Sequence, residues 1–216
     1  MDFDILGFER EFQNKLINKL ESVVRSSFWS GGTNIKSIEE KFSNLYNMHA
    51  ISCSSGGMAL EITSKVFNEI TKIGVQSNTY FASILPWINC NKELVLIGTE
   101  GNSLTPSLSI IKETIDKGID AIVLTHIGGY PIPDIIQINK YCKENNILLI
   151  EDCAHAPLTK IDGNLVGSFG DASILSFFPT KPIPAGEGGM LLLKSENLAN
   201  KAFKIRDYGK IFKDTK

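Results

Sequence analysis

The stretch Asp171-Ala-Ser-Ile-Leu-Ser-Phe-Phe-Pro-Thr-Lys181-Pro-Ile-Pro-Ala-Gly-Glu-Gly-Gly-Met190 places one lysine between prolines, with apolar runs on either side. The apolar runs predict strands over 172–176 and 190–193. Prolines fix φ and remove backbone donors, so the connection between these strands is expected to be stiff and irregular. Lys181 is therefore predicted to be held in place between two apolar strands.

Two interpretations of Lys181 follow from this stretch. A solvated loop lysine is the commonest fate of this residue type. A lysine that forms a Schiff base needs a fixed stem, partial desolvation to lower its pKa, and nearby glycines that let a flat cofactor approach the backbone. The flanking strands supply the desolvation, and Gly186-Glu187-Gly188-Gly189 supplies the glycines. The stretch alone leaves both interpretations open.

Outside this stretch, strand-like runs alternate with amphipathic helices. Continuous Val, Ile and Leu strands between such helices predict an α/β fold of three layers, α/β/α, with a mostly parallel seven-stranded sheet. Ligands of such sheets bind beyond the carboxyl ends of the strands, which makes the residues after each strand site candidates. The predicted strands are 49–54, 73–75, 94–97, 121–125, 147–150, 172–176 and 190–193, and the predicted helices are 8–25, 35–46, 58–70, 80–88, 107–117, 133–144 and 195–208.

The composition is that of a globular protein with one sizeable core. The chain has 216 residues, of which 43% are hydrophobic and 21% charged. Its net charge of -2 provides no basic field, which argues against nucleic acid and anionic membrane surfaces as partners. The start, Met1-Asp-Phe-Asp-Ile, lacks the pattern of a secretory leader, and no run approaches the roughly 20 apolar residues of a membrane span. A cytoplasmic location is expected.

Cysteine and histidine spacing gives no metal-site pattern. The cysteines are scattered without a Cys-x-x-Cys pair, which favours buried thiols over a zinc ribbon or a disulfide framework. The histidines are too dispersed to predict a metal site, although distant residues can converge in a fold. No metal is expected. These residues are Cys53, Cys90, Cys142, Cys153, His49, His126 and His155.

The run Ser54-Ser55-Gly56-Gly57 stands between a predicted strand and a predicted helix. Glycine lets the backbone approach an anion, and the free N–H groups at a helix start can hold a phosphate. Many strand-to-helix turns contain serine and glycine for geometry alone, and that alternative stays open for this run taken by itself.

Glu151-Asp152-Cys153-Ala154-His155 ends another predicted strand. A carboxylate at a buried strand end needs a cationic partner, which a protonated pyridine nitrogen would provide for Asp152. The alternative for Asp152 is the N-cap of a following turn. His155 is expected to flank the ring or to hydrogen-bond Asp152, or else to be a satisfied interior histidine.

Three further strand ends carry candidates. Thr79-Tyr80-Phe81 offers an aromatic face for a planar cofactor, with core packing as the equal alternative. Ser176 could give a hydroxyl to a phosphate, and His126-Ile127-Gly128-Gly129 is expected to be a structural turn that lines the pocket. A phosphate cradle, a carboxylate, an aromatic platform and a held lysine on one sheet are the four features that pyridoxal phosphate requires.

The order of these motifs resembles that of the DegT-type, pyridoxal-phosphate-dependent sugar aminotransferases of fold type I, over about residues 30–209. The resemblance implies the large domain of a fold type I transferase, which moves an amino group from L-glutamate to a keto sugar. The implied acceptor is a nucleotide-linked sugar or cyclitol in amino-sugar or surface polysaccharide biosynthesis. The motifs are Ser30-Gly31-Gly32, Ser55-Gly56-Gly57-Met58-Ala59-Leu60, Thr79-Tyr80, His126-Ile127-Gly128-Gly129, Glu151-Asp152-Cys153-Ala154-His155, Ser176-Phe177-Phe178-Pro179-Thr180-Lys181 and Gly186-Glu187-Gly188-Gly189.

The resemblance also implies a role for each candidate residue. Lys181 would form the Schiff base with pyridoxal phosphate and carry a proton during the reaction. Asp152 would hold the proton on the pyridine nitrogen, and His155 would lie beside the ring. The other implied contacts are Tyr80 on the ring, Gly56, Gly57 and Ser176 at the phosphate, and Gly31 and Glu187 near the substrate.

The chain departs from the family pattern in several places. Gly57 replaces the usual threonine, and the lost hydroxyl contact is worth on the order of 1 kcal/mol of cofactor binding. Gln76 and Asn78 replace a proline and an aromatic residue. The family's small C-terminal domain is absent, so the predicted division is an N-terminal helical segment (1–30), a cofactor-binding large domain (31–195) and the start of a connecting helix (196–216). The implied partner is a second copy of the chain or a complementing C-terminal chain.

Two other functions stay open beside the aminotransferase. A non-catalytic or split-chain homologue would bind pyridoxal phosphate or a partner subunit without independent turnover, and Gly57 and the missing domain favour it. A lyase or dehydratase with the same cofactor is the third. Related sugar dehydratases have histidine in place of Lys181, which argues against that branch.

Overall fold

The computed structural model describes residues 8–26 and 28–209. The predictions on the first residues of the chain and on its polar, lysine-rich end lie outside these residues. The helices are α1 (Arg10–Arg25), α2 (Gly32–Tyr46), α3 (Gly56–Val66), α4 (Leu85–Asn89), α5 (Leu108–Ile115), α6 (Ile135–Glu144) and α7 (Glu196–Arg206). The strands are β1 (His49–Cys53), β2 (Lys72–Gln76), β3 (Glu93–Ile97), β4 (Ala121–Thr125), β5 (Leu148–Asp152), β6 (Lys160–Ile161), β7 (Asn164–Leu165), β8 (Ala172–Ser176) and β9 (Gly189–Leu193).

The main sheet has seven strands in the order β1-β9-β8-β5-β4-β2-β3. Neighbouring strands pair in parallel except at β9, which runs antiparallel to both β1 and β8. Every residue of β4, β8 and β9 is buried, as expected for strands covered on both faces. The predicted mostly parallel, seven-stranded α/β fold is confirmed.

The three layers follow from alternation along the strands, because successive side chains point to opposite faces of a sheet. On one face, Ala121 and Val123 of β4 belong to a core cluster with residues of α3 and α7. On the other face, Ile122 and Leu124 belong to a cluster with residues of α5 and α6. A third cluster joins Phe42 of α2 to apolar residues of β8 and β9. The sheet is therefore enclosed between helices.

Three predictions of local structure need correction. The strand predicted over 147–150 continues to Asp152, because the side chains of its last two residues, Glu151 and Asp152, accept hydrogen bonds inside the fold. The helix predicted over 80–88 is divided into a 3-10 turn (Phe81–Ser83) and the short helix α4, with Pro86 in its first turn. The hairpin β6–β7 was not predicted, although Asp162-Gly163 has positive φ at both positions and is a typical two-residue hairpin turn.

Helix α1 confirms the amphipathic pattern predicted over 8–25, but none of its residues is buried. Its apolar side chains Phe12, Leu16, Ile17 and Leu20 are 45–60% exposed. Among the residues that the structure describes, no helix is long and apolar enough to cross a membrane.

Candidate active site

The carboxyl ends of the parallel strands bring the sequence candidates to one edge of the sheet. Thr125, the last residue of β4, pairs in register with Asp152, the last residue of β5. Strand β8 lies next to β5 and ends at Ser176, and the turn after β2 carries Thr79 and Tyr80. This edge is where an open parallel sheet is expected to bind ligands.

The turn before α3 forms a small cradle against the end of β8. The Oγ of Ser55 accepts a hydrogen bond from the N–H of Met58 (3.0 Å) and caps the helix. Gly56 is buried against Ser176, so closely that a Cβ at Gly56 would lie 2.9 Å from the Cβ of Ser176. Gly57 is exposed, and a Cβ there would meet only the Oγ of Ser55, at 3.7 Å. The first N–H groups of α3 have no partner within the helix and are suited to an anion.

Asp152 is 4% exposed and both of its oxygens are engaged. Oδ1 accepts a hydrogen bond from the N–H of Ala154 (3.0 Å), which is the local turn contact that an aspartate at this point commonly makes. Oδ2 accepts a hydrogen bond from the Oγ of Ser83 (2.6 Å). Sequence reasoning missed Ser83, because a lone serine within a predicted helix carries no signal of a partner far along the chain.

Lys181 follows a turn in which its N–H donates to the carbonyl of Phe178 (2.9 Å). The base of the loop is closed by hydrogen bonds from Ala185 to Phe177 and from Phe177 to Gly188. Partial burial lowers the pKa of Lys181, and the nearby charge of Asp152 opposes that shift. Lys181 is thus half-buried and within the electrostatic reach of Asp152, and its attachment to a cofactor stays a prediction.

His155 lies near both of these groups. Burial and the positive charge of Lys181 lower the pKa of His155, while Asp152 opposes the shift. The Nδ1 of His155 accepts a hydrogen bond from the N–H of Gly128 (3.1 Å), which leaves the other ring nitrogen to carry the proton. His155 therefore makes its hydrogen bond to the turn Ile127–Gly129 and not to Asp152. The turn that was expected to be structural and to line the pocket holds the imidazole.

The remaining candidates are more peripheral. Tyr80 is 61% exposed and its ring packs at a tilt against Phe81, with 4.1 Å between ring centroids. Gly31 is the N-cap residue of α2 with φ 77°, and Glu187 is exposed in the loop before β9. In the parts of the chain that the structure describes, Glu187 makes no hydrogen bond or ion pair. The proposed ring and substrate contacts of these residues stay predictions.

A second buried carboxylate next to the site has a structural explanation. Glu151 is fully buried and accepts hydrogen bonds from the N–H groups of Gly167, Phe169 and Gly170 (2.6–2.9 Å). It also lies 3.0 Å from the Nε2 of His126, whose Nδ1 accepts from the N–H of Ile132. Donor atoms of His126, Glu151 and Cys153 lie within 4.8 Å of one another, but both ring nitrogens and both carboxylate oxygens already have partners. The cluster ties loops to the sheet.

The sheet edge holds a half-buried lysine, a buried carboxylate, an imidazole and a helix N-terminus beside Ser176. These features are the ones expected of the large domain of a fold type I, pyridoxal-phosphate-dependent enzyme. The residues fit the cofactor, because the cradle excludes a side chain at Gly56 and offers unpaired N–H groups to a phosphate. The chain belongs to the DegT/DnrJ/EryC1/StrS aminotransferase family, whose model matches residues 10–216.

Similar proteins were found among curated sequences. GDP-perosamine synthase of Vibrio cholerae is 33% identical over 208 residues, which cover 94% of this chain and 54% of the relative. UDP-N-acetyl-3-dehydro-alpha-D-glucosamine 3-aminotransferase of Acidithiobacillus ferrooxidans is 26% identical over 211 residues, which cover 95% of this chain and 57% of the relative. The chain thus spans about half the length of the curated relatives it matches.

Solved structures show the same fold. The Helicobacter pylori aminotransferase PseC, involved in the biosynthesis of pseudoaminic acid, superposes with a TM-score of 0.86 at 23% identity, over 96% of this chain and 56% of that protein. An aminotransferase from Psychrobacter cryohalolentis superposes with a TM-score of 0.84 at 25% identity, over 95% of this chain and 52% of that protein.

Proposed function

We propose that this chain is the cofactor-binding part of an aminotransferase that moves an amino group from L-glutamate to the carbonyl of a keto sugar. The observation that carries the proposal is that buried Asp152, at the end of β5, lies on the same sheet edge as Ser176 and Gly56, with half-buried Lys181 in the loop that follows β8. A structural lysine at a surface loop would need neither a buried carboxylate nor a neutral imidazole beside it.

The cradle at α3 is the proposed phosphate site. Gly56 and Gly57 supply backbone N–H groups at the positive end of the helix dipole, which favours an anion. Ser176 adds a hydroxyl from the end of β8, 7% exposed and directly beside Gly56. These contacts would fix one end of the cofactor, so that its ring extends toward Asp152.

Asp152 is the proposed partner of the pyridine nitrogen. When bound, pyridoxal phosphate supplies an electron sink for charge that develops at the carbon losing a proton. The carboxylate of Asp152 favours the protonated ring nitrogen by its charge, which is little screened at this buried position. Tyr80 is the proposed stacking residue on the open side of the ring.

Lys181 is the proposed covalent attachment point and proton carrier. Burial lowers its pKa, so a larger fraction of its amine is neutral near pH 7 than for a solvated lysine. A neutral amine is the nucleophile for an aldehyde, and once displaced it can accept and donate a proton. His155 keeps the proton on its Nε2 and is proposed to lie beside the ring as a neutral donor.

The acceptor is proposed to be a nucleotide-linked keto sugar or a cyclitol, in a biosynthetic route to amino sugars or surface polysaccharides. The names of the similar proteins above, which include GDP- and UDP-linked compounds, support this class. Gly31 and Glu187 are the proposed substrate contacts.

The domain division is proposed as an N-terminal helical segment (1–30), a cofactor-binding large domain (31–195) and the start of a connecting helix (196–216). The proposed partner is a second copy of the chain or a complementing C-terminal chain, and the exposed rings of Tyr80 and Phe81 at the edge of the site support such a partner. The proposed location is the cytoplasm, which four unpaired cysteines fit. A second candidate is a homologue that binds the cofactor or a partner without turnover, and Gly57, at the position where the family pattern has threonine, favours it.

The test begins with pyridoxal phosphate and the 216-residue chain. We expect a visible absorbance band, which borohydride fixes and peptide mapping assigns to Lys181. Lys181→Arg should abolish the adduct, while Lys194→Arg should not, although burial also lowers the pKa of Lys194. An adduct elsewhere contradicts the assignment. Formation of 2-oxoglutarate from glutamate, alone or with a complementing C-terminal chain, then separates the enzyme from the binder.

A further inference from the structure

Asp152 lies at the end of a line of three hydroxyl groups. The Oγ of Ser83 is 2.6 Å from Oδ2 of Asp152, and the Oγ1 of Thr79 is 3.0 Å from the Oγ of Ser83. The Oγ1 of Thr125 is 2.7 Å from the Oγ1 of Thr79. Ser83 and Thr125 are buried and Thr79 is partly buried. The line connects the turn after β2 with the ends of β4 and β5.

The direction of these hydrogen bonds follows from counting protons. Each hydroxyl group has one proton to donate, and an ionised carboxylate can only accept. Ser83 must therefore donate to Asp152 and accept from Thr79. Thr79 in turn has donated its proton and must accept from Thr125. All three hydrogen bonds point toward the carboxylate, so their dipoles add and polarise one another.

Hydrogen bonds that involve backbone N–H groups hold both ends of the line. The Oε1 of Gln76 accepts a hydrogen bond from the N–H of Thr125 (3.0 Å), and its amide donates to the carbonyl of Asn78 (3.2 Å). At the other end, the N–H of Ala154 fixes Oδ1 of Asp152.

We propose that Ser83, Thr79 and Thr125 are positioning residues, which hold the Asp152 carboxylate in one orientation and as a hydrogen-bond acceptor for the cofactor's ring nitrogen. The inference rests on the proposed role of Asp152 in cofactor binding. The three residues act through the carboxylate, because the line of hydroxyl groups ends at its Oδ2. Their effect should therefore depend on the hydroxyl group and not on side-chain volume.

Thr79→Val and Thr79→Ser separate these two effects. Valine keeps the volume and removes the hydroxyl, whereas serine keeps the hydroxyl and removes a methyl group. Loss of one hydrogen bond should raise the Kd for pyridoxal phosphate about fivefold in Thr79→Val. Ser83→Ala removes the bond to the charged group and should raise it by about tenfold or more. Thr79→Ser should stay within about twofold of the unmodified chain.

The spectrum of the bound cofactor provides a readout that a merely structural role would not move. The pH at which its visible absorbance changes should shift in Thr79→Val and Ser83→Ala, but not in Thr79→Ser. Thr114→Val and Ser64→Ala are matched controls, because each removes a buried hydroxyl that donates to a carbonyl of its own helix; the Oγ of Ser64 also lies 3.4 Å from the Sγ of Cys90, away from Asp152. Equal Kd values and spectra for Thr79→Val and Thr79→Ser would overturn the inference and leave the proposed function intact.

A cofactor-free measurement keeps the two proposals distinguishable. The hydroxyl of Thr79 is connected to the carboxylate of Asp152 through the hydroxyl of Ser83, so Thr79→Val and Asp152→Asn should shift the urea midpoint non-additively in the apoprotein. An asparagine amide facing Ser83 would donate and reverse the line. Additive shifts overturn the inference even if the chain binds pyridoxal phosphate. Failure of the unmodified chain to bind it, with non-additive shifts, overturns the proposed function alone.

Discussion

Gly56→Ala and Gly57→Ala make the same chemical change at adjacent positions of α3 and are expected to act in opposite directions. A Cβ at Gly56 would lie 2.9 Å from the Cβ and 3.3 Å from the Oγ of Ser176, whereas a Cβ at Gly57 has only the Oγ of Ser55 at 3.7 Å. The Cβ of Ser176 is fixed to a buried strand and cannot rotate away. Alanine at position 56 must therefore push α3 from β8.

The magnitude follows from two opposing contributions. Overpacking of a buried contact costs about 1–3 kcal/mol. Replacing a helical glycine by alanine stabilises the helix by about 0.5–1 kcal/mol. Gly56→Ala should therefore lower the free energy of unfolding by about 1 kcal/mol, and by about 2.5 kcal/mol at most, whereas Gly57→Ala should raise it by up to about 1 kcal/mol. A change of 1 kcal/mol corresponds to about 2–4 °C in Tm for a chain of this size.

The assay is urea and thermal unfolding of both variants, followed by titration with pyridoxal phosphate. Gly56→Ala should also weaken cofactor binding, because it moves the helix N–H groups relative to Ser176. The double variant Gly56→Ala with Ser176→Gly removes the clashing carbon, so the cost of alanine at position 56 should largely disappear in that background. Equal stability of Gly56→Ala and Gly57→Ala would refute the close approach of α3 to β8.

Three further predictions concern the titrating and buried groups. Burial lowers the pKa of Lys181, so its rate of condensation with pyridoxal phosphate should rise with pH and level off at a lower pH than for a model lysine. Stopped-flow absorbance measures this rate, and the same pH profile for both amines would contradict the prediction. Because the pKa of His155 is lowered in the folded chain, the unfolded chain protonates this histidine at a higher pH. The free energy of unfolding should therefore fall as the pH drops below about 6.5. His155→Asn, which keeps an acceptor for Gly128, should reduce that fall in urea midpoints between pH 7 and 5. Glu151→Gln replaces one carboxylate oxygen by an amide NH2 group, which faces backbone N–H groups and cannot accept their hydrogen bonds. This change should lower the free energy of unfolding by about 2–4 kcal/mol. The control Glu144→Gln, at an exposed position, should change it by under about 0.5 kcal/mol.

Much of the site could be proposed from the sequence because its residues stand at recognisable places. Asp152 and Ser176 end apolar strands, and Gly56 begins a helix directly after one. The hairpin β6–β7 was also within reach of the sequence, since Asp162-Gly163 is a turn signal. The roles of Tyr80, Gly31 and Glu187 stay predictions, because the structure gives no contact that tests them.

The sequence by itself determined the alternation of helices and strands, the seven strands of the sheet and the order of the site motifs. These properties are local, since hydrophobic periodicity and turn residues act over a few neighbours along the chain. Only the tertiary structure decided that Ser83 bonds Asp152, that Gly128 holds His155 and that Glu151 is a structural carboxylate. Such contacts depend on strand order and register, which bring together residues far apart in sequence and which no local pattern encodes.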